Sequence, residues 1–277
     1  QYAITIRFRL TMINTDDRNI DLVTSGTGHN ILFVPGSFST PAAWKSVQEK
    51  LPQKYRFLTT SLCGYGKTAE TRTLDDYFTD HEIDVLNNII DQIQEPVHLV
   101  GHSFGGVVCF AAALIGKAEI KSVTTYEANP VGLLKDSSNQ GYRNLNAIRK
   151  KFETEYFSGE LGAASIVVEY WGGEGSFASM PTEVQDYCKS TTFANVLDWR
   201  TGFSFLKSKK DYQNLSLPCL IIRGQRANNE MIEITNTLSK SIPNNRTAIV
   251  SEANHFLITS HPTACADLLA DFLQEID

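Results

Sequence analysis

The chain has 277 residues, a hydrophobic share of 42% and a formal net charge of −6, with 25 basic residues against 31 acidic ones. That length carries one large α/β domain with room for an insertion, while the absence of any basic tract argues against nucleic acid as a partner. No apolar run approaches the roughly 20 residues needed to span a bilayer, and the segment after the first residue, Gln1, shows no apolar signal core. The five cysteines (Cys63, Cys109, Cys188, Cys219, Cys265) are scattered without a CxxC pair. Neither a disulfide framework nor a zinc site is expected, and a reducing cytoplasm is the natural setting.

Residues 4–13 alternate apolar and polar (Ile4, Ile6, Phe8, Leu10, Met12). A turn cluster, Asp16-Asp17-Arg18-Asn19, then leads into Ile20-Asp21-Leu22-Val23, which predicts an opening hairpin. Ile31-Leu32-Phe33-Val34 is continuously apolar, as a parallel strand covered on both faces should be. It runs into Pro35-Gly36-Ser37-Phe38-Ser39-Thr40. Residues 41–51 read as helix with Trp44, Val47 and Leu51 on one face, residues 57–60 as strand, and residues 62–68 as a glycine-punctuated loop. The spacing of Ile83, Leu86, Ile89, Ile90 and Ile93 predicts a helix over 74–93.

The most informative stretch follows: strand formers His98-Leu99-Val100, then Gly101-His102-Ser103-Phe104-Gly105, then small and apolar residues at helical spacing through Ile115. A Gly-X-Ser-X-Gly turn between strand and helix lifts the serine hydroxyl clear of the sheet, and Ser103 is therefore the candidate nucleophile. Residues 120–126 form a β-branched strand ending in Glu127-Ala128-Asn129-Pro130. From 131 to 215 the alternation stops. Helices are predicted over 142–157, 162–170 and 191–206, with a dense set of aromatics. Most of those aromatics are expected to form the core of the helical layer itself. Phe38, Trp171, Phe177, Trp199 and Phe203 are the candidates for lining a substrate pocket. Alternation returns with a strand at 218–224, a helix at 227–240, a strand at 247–250, a loop at 251–255 and a closing helix at 262–276. The pattern is one doubly covered, mostly parallel sheet: a core at 1–130 and 216–277, with a helical insertion at 131–215.

A serine hydroxyl needs a base, and the base needs an orienting group. Of the six histidines, His255 stands in the loop just past the last strand, where loops at the sheet's C-terminal edge converge on Ser103. His98 lies within a strand and is expected to be packed. His102 adjoins Ser103 but points the other way and reads as a structural hydrogen-bonder. His29 carries no partner signal, His81 lies in a predicted helix with acidic neighbours and reads as surface, and His261 precedes Pro262 and resembles a helix-start residue.

Taken together, Val34-Pro35-Gly36-Ser37, Leu62-Cys63-Gly64-Tyr65-Gly66-Lys67-Thr68, Gly101-His102-Ser103-Phe104-Gly105-Gly106, Ile221-Ile222-Arg223-Gly224 and Asn254-His255-Phe256 resemble the α/β-hydrolase fold superfamily over nearly the whole chain. The resemblance implies a doubly wound, mostly parallel eight-stranded sheet with a helical cap. Members usually carry the triad acid in a Gly-X-X-Asp pattern after the seventh strand, but here Gly224-Gln225-Arg226-Ala227 has alanine in that place. Tyr126-Glu127-Ala128-Asn129-Pro130, Arg223-Gly224-Gln225-Arg226 and the cap segment from Tyr170 to Phe177 resemble a bacterial subset with the acid after the sixth strand. That resemblance makes Glu127 the candidate acid, with Glu230 as the second candidate.

The oxyanion hole is expected from the backbone N–H of Phe104 and that of Ser37, or of Phe38 beside it. Pro35-Gly36 stands where the family commonly has His-Gly, which leaves the amide but removes a side chain that usually braces this loop. The implied activity is hydrolysis of a small, mainly apolar carboxylic ester through an acyl-enzyme, without cofactor or metal, by a monomer or homodimer. Lactone, thioester, amide and C–C bond hydrolysis use the same machinery. A non-catalytic ligand-binding member of the fold is the reading from another class, supported by Ala227 alone.

Overall fold

The computed structural model describes residues 9–15, 18–160 and 162–276. Eight strands form one sheet: β1 (Arg9–Thr15), β2 (Arg18–Gly26), β3 (His29–Val34), β4 (Tyr55–Thr60), β5 (Val97–His102), β6 (Ile120–Tyr126), β7 (Cys219–Gly224) and β8 (Asn245–Val250). Their spatial order is β1-β2-β4-β3-β5-β6-β7-β8. β1 and β2 form the expected antiparallel hairpin, whose predicted start at residues 4–8 lies outside the described residues, and β2 meets β4 antiparallel. From β4 to β8 every pairing is parallel.

The continuous apolar strands are explained by a core on each face. Along β3, Leu32 and Val34 join one cluster and Ile31 and Phe33 the other, and β7 divides Cys219 and Ile221 from Leu220 and Ile222 in the same way. After a 3-10 turn (Pro41–Trp44), the helices are α1 (Lys45–Gln48), α2 (Asp80–Ile93), α3 (Phe104–Ile115), α4 (Leu134–Ser137), α5 (Asn139–Phe157), α6 (Ala163–Gly172), α7 (Thr182–Ser190), α8 (Thr192–Ser204), α9 (Lys209–Gln213), α10 (Asn229–Ser241), α11 (Leu257–Ser260) and α12 (Pro262–Ile276). α2, α3 and α10 cover one face, and α1, α11 and α12 the other. The helices inserted between β6 and β7 form the cap. They share the first core through Leu145, Phe152, Val167 and Val196. Among the described residues, no helix is long and apolar enough to cross a membrane.

The helix expected at 41–51 is the 3-10 turn followed by the short α1, and the short α4 and α11 were not expected; three further helices differ for local reasons. α2 starts at Asp80 rather than 74, because the Thr73 hydroxyl takes the amides of Asp75 and Asp76 and sets a turn instead. α7 buries only Cys188 and has no apolar stripe to read. α9 is a single short turn started by a capping box between Ser208 and Asp211.

Candidate active site

β5 delivers the chain to Ser103, which adopts φ 52° and ψ −125° before α3 begins. The turn is held by the Ser103 amide donating to the Tyr126 carbonyl at 2.9 Å, and by the Gly106 amide donating back to the Ser103 carbonyl at 2.9 Å. Glycine is required at two places. A Cβ on Gly101 would lie 2.6 Å from the Gly105 carbonyl oxygen, and one on Gly105 would lie 2.3 Å from that of Pro35. Among the described residues, Phe38, Ser103 and Glu127 are three of the five non-glycine residues with positive φ, and all three belong to this site. Such backbone costs about 1–3 kcal/mol per residue and persists only where the surroundings impose it.

Three side chains that are far apart in sequence meet here. The Ser103 Oγ lies 2.9 Å from His255 Nε2, and His255 Nδ1 lies 2.7 Å from Glu127 Oε2. Their relative exposures are 7%, 4% and 1% in the order Ser103, His255, Glu127. Glu127 extends from the end of β6. Its second oxygen accepts the Gly224 amide at 2.7 Å, and its own amide donates to the Ile222 carbonyl at 2.7 Å, so β7 fixes the carboxylate from both ends. Glu230 is elsewhere. It sits in the first turn of α10 and accepts a hydrogen bond from Asn144, so it takes no part in orienting His255.

The His255 loop is tied down from two sides. His102 Nε2 donates to the His255 carbonyl at 2.8 Å, the structural role expected of it. Burial, reinforced by His255, holds the His102 imidazole down to about 3, so it stays neutral across the working range. From the cap, the Gly172 carbonyl accepts from Asn254 Nδ2 at 2.8 Å, and the Trp171 ring stacks on His255 at 5.3 Å between centroids.

Ser103 and His255 open into a cavity of about 90 Å³ between core and cap. Phe38, Trp171, Trp199 and Phe203 line it, as do Ser37 and Phe104. Phe177 does not. Glu169 takes the amides of Gly175 and Phe177 and turns the glycine-rich segment back onto the end of α6, leaving Phe177 outside the cavity. Val167 and Val168 on α6 contribute wall positions not expected from the sequence. Phe104 is the first residue of α3, so its amide has no partner within the helix and is free for a developing negative charge.

A buried charge cluster, absent from the expectations above, stands beside the cavity. Arg72 sends NH1 to Asp198 Oδ1 at 2.8 Å and NH2 to Glu70 Oε2 at 2.8 Å, and stands 3.1 Å from Glu82 Oε1. One guanidinium thus serves three carboxylates. Burial raises Glu82 from an ordinary 4.5 to about 7, more than Arg72 can offset. Between those values the folded chain keeps a proton that the unfolded chain has released. This stabilising contribution is complete below about pH 4.5 and is lost as the pH rises through 7. Glu82→Gln keeps the shape without the charge. Urea unfolding should show the wild type losing about 3 kcal/mol relative to this variant between acid and mildly alkaline pH. Parallel pH profiles for the two proteins would contradict that expectation.

A model described as the alpha/beta hydrolase family matches residues 31–268. The chain is similar to the pimeloyl-[acyl-carrier protein] methyl ester esterase of Aliivibrio fischeri, with 23% identity over 261 residues, 91% of this chain and 96% of that protein. It is also similar to the human monoacylglycerol lipase ABHD6, with 22% identity over 267 residues, 90% of this chain and 77% of that protein. A solved alpha/beta hydrolase from Nostoc sp. PCC 7120 superposes with a TM-score of 0.79 at 18% identity, covering 96% of this chain and 98% of that one, a likeness of fold. With the family model spanning the sheet from β3 to the closing helix, the chain belongs to the alpha/beta hydrolase family.

Proposed function

We propose that the protein is a serine esterase acting on small, mainly apolar carboxylic esters through an acyl-enzyme. The observation that carries this reading is the unbroken relay Ser103–His255–Glu127 opening into an aromatic-lined cavity. In it, His255 Nε2 takes the Ser103 proton as Oγ attacks the ester carbonyl. Glu127 holds the imidazole in the required tautomer and stabilises its charged form. The amides of Phe104 and of Ser37, or of Phe38 next to it, receive the oxyanion. The alcohol leaves with the proton from His255. Water activated by the same nitrogen then releases the acid. Supporting the choice of ester, two relatives are named for an esterase and a lipase.

The test is p-nitrophenyl esters of graded acyl length beside a fluorophosphonate probe, with the adduct located by mass spectrometry. Turnover with an optimum among the short acyl chains, acetyl to hexanoyl, and a single adduct on Ser103 are expected. A folded protein that neither turns over these esters nor takes the label at Ser103 would overturn the reading in favour of a ligand-binding member of the fold.

A further inference from the structure

The loop between β3 and the first 3-10 turn is expected to supply an oxyanion donor, yet Pro35 gives it no bracing side chain of its own. The structure supplies a brace from across the molecule. Ser37 Oγ donates to Asp198 Oδ2 at 2.5 Å, and Asp198 stands on cap helix α8, far along the chain. Asp198 is itself held firmly. Tyr65 donates to the same oxygen at 2.7 Å, Asn195 Nδ2 approaches it at 3.4 Å, and Arg72 occupies the other oxygen at 2.8 Å. Asp198 and Arg72 are each 3% exposed, Asn195 1% and Tyr65 0%.

Two consequences follow. With four donors already on its two oxygens, the Asp198 carboxylate has little capacity left for a substrate group, although it borders the cavity. Its partners other than Ser37 fix it in place: Tyr65 and Arg72 from the segment after β4, and Asn195 from α8 itself. Ser37 is the partner beside the reacting atoms. It shares the cavity wall with Ser103, next to Phe38, whose φ of 57° needs outside support to persist.

We propose that Asp198 is the positioning residue of the oxyanion hole: the cap, through the Asp198–Ser37 hydrogen bond, holds the loop amide at the reacting carbonyl, so that a docked α8 is a condition for turnover. This rests on the esterase reading above. A hydrogen bond made to the ground-state loop and felt only through amide placement should act on kcat and spare substrate binding. A plain staple between cap and core would instead change stability and leave kcat intact.

The experiment compares wild type, Ser37→Ala, Ser37→Thr, Asp198→Asn and the Ser37→Ala/Asp198→Asn double variant in two ways. One is steady-state hydrolysis of a short p-nitrophenyl ester. The other is amide hydrogen exchange of the 36–40 segment, with β5 as the internal reference. Ser37→Ala keeps the backbone amide and removes only the hydroxyl, and it should lower kcat by about tenfold to a hundredfold with KM changed little. Ser37→Thr should recover most of the rate. The double variant should be no worse than Asp198→Asn alone, because the two residues act through one bond. Exchange of 36–40 should quicken in Ser37→Ala while β5 keeps its protection. Should Asp198→Asn fail to fold, Ser37→Ala and Ser37→Thr decide. An unchanged kcat in Ser37→Ala, multiplicative losses in the double variant, or unchanged exchange at 36–40 would overturn the proposal. If the wild type hydrolyses no ester, the esterase reading falls, and the exchange measurement still decides whether Asp198 holds the loop.

Discussion

Glu127→Gln is expected to lower kcat about ten-thousand-fold while leaving the fold intact. The carboxylate has two obligations that one amide cannot meet. Oε2 faces the His255 Nδ1 proton at 2.7 Å, and Oε1 faces the Gly224 amide at 2.7 Å. If the glutamine oxygen turns to Gly224, its NH2 meets Nδ1 and forces the proton onto Nε2, the nitrogen that must accept from Ser103. If the oxygen turns to His255, the NH2 opposes the Gly224 N–H inside a site where Glu127 is 1% exposed. That leaves two buried donors facing each other, at a cost of about 1–3 kcal/mol. In both arrangements the negative charge that stabilises the imidazolium is gone. Steady-state kinetics beside urea unfolding checks this. A folded variant with wild-type kcat would remove Glu127 from the mechanism. Glu230 could not replace it, since it is engaged with Asn144 on α10.

The parts of this site that were legible in the sequence are those whose chemistry is local. Gly101 and Gly105 mark the elbow because backbone atoms approach where a Cβ would stand: the Gly105 carbonyl four residues on crowds Gly101, and the Pro35 carbonyl at the end of the neighbouring strand crowds Gly105, yet both glycines sit in one short readable motif. His255 could be read because it stands in the loop after β8, and parallel strands bring their C-terminal ends to one edge; Glu127, at the end of β6, was legible through the resemblance to members with the acid after the sixth strand. The Arg72–Asp198 pair left no such trace. Its members come from a loop and a cap helix, and their pairing depends on how the cap docks, which no periodicity encodes. One signal existed: α8 buries Asn195 and Asp198 among Val196, Leu197 and Trp199, and a carboxylate inside an apolar helix face demands a partner. Phe177 was misplaced for a related reason. Aromatic content marks a cap core, but the turn set by Glu169 decides which ring reaches the cavity.

Ser103→Ala carries the largest expected effect, a loss of about a million-fold in kcat. The Oγ is the atom that bonds to the acyl carbon, and neither His255 nor Glu127 can substitute for it. What remains should still exceed the rate in water, because the amides around the cavity and the apolar walls are untouched by the change. Combining it with Glu127→Gln makes the sharper measurement. In Ser103→Ala there is no serine proton for His255 to take, so orienting the imidazole has almost nothing left to accelerate. The double variant should therefore be as slow as Ser103→Ala and no slower. Were Glu127 only a structural carboxylate that anchors β7 through Gly224, its loss would act through folding, and its effect would multiply with that of Ser103→Ala. Equal residual rates in the single and double variants, with equal urea midpoints, would place the two residues in one catalytic unit. A further drop in the double variant would separate them and return Glu127 to a structural role.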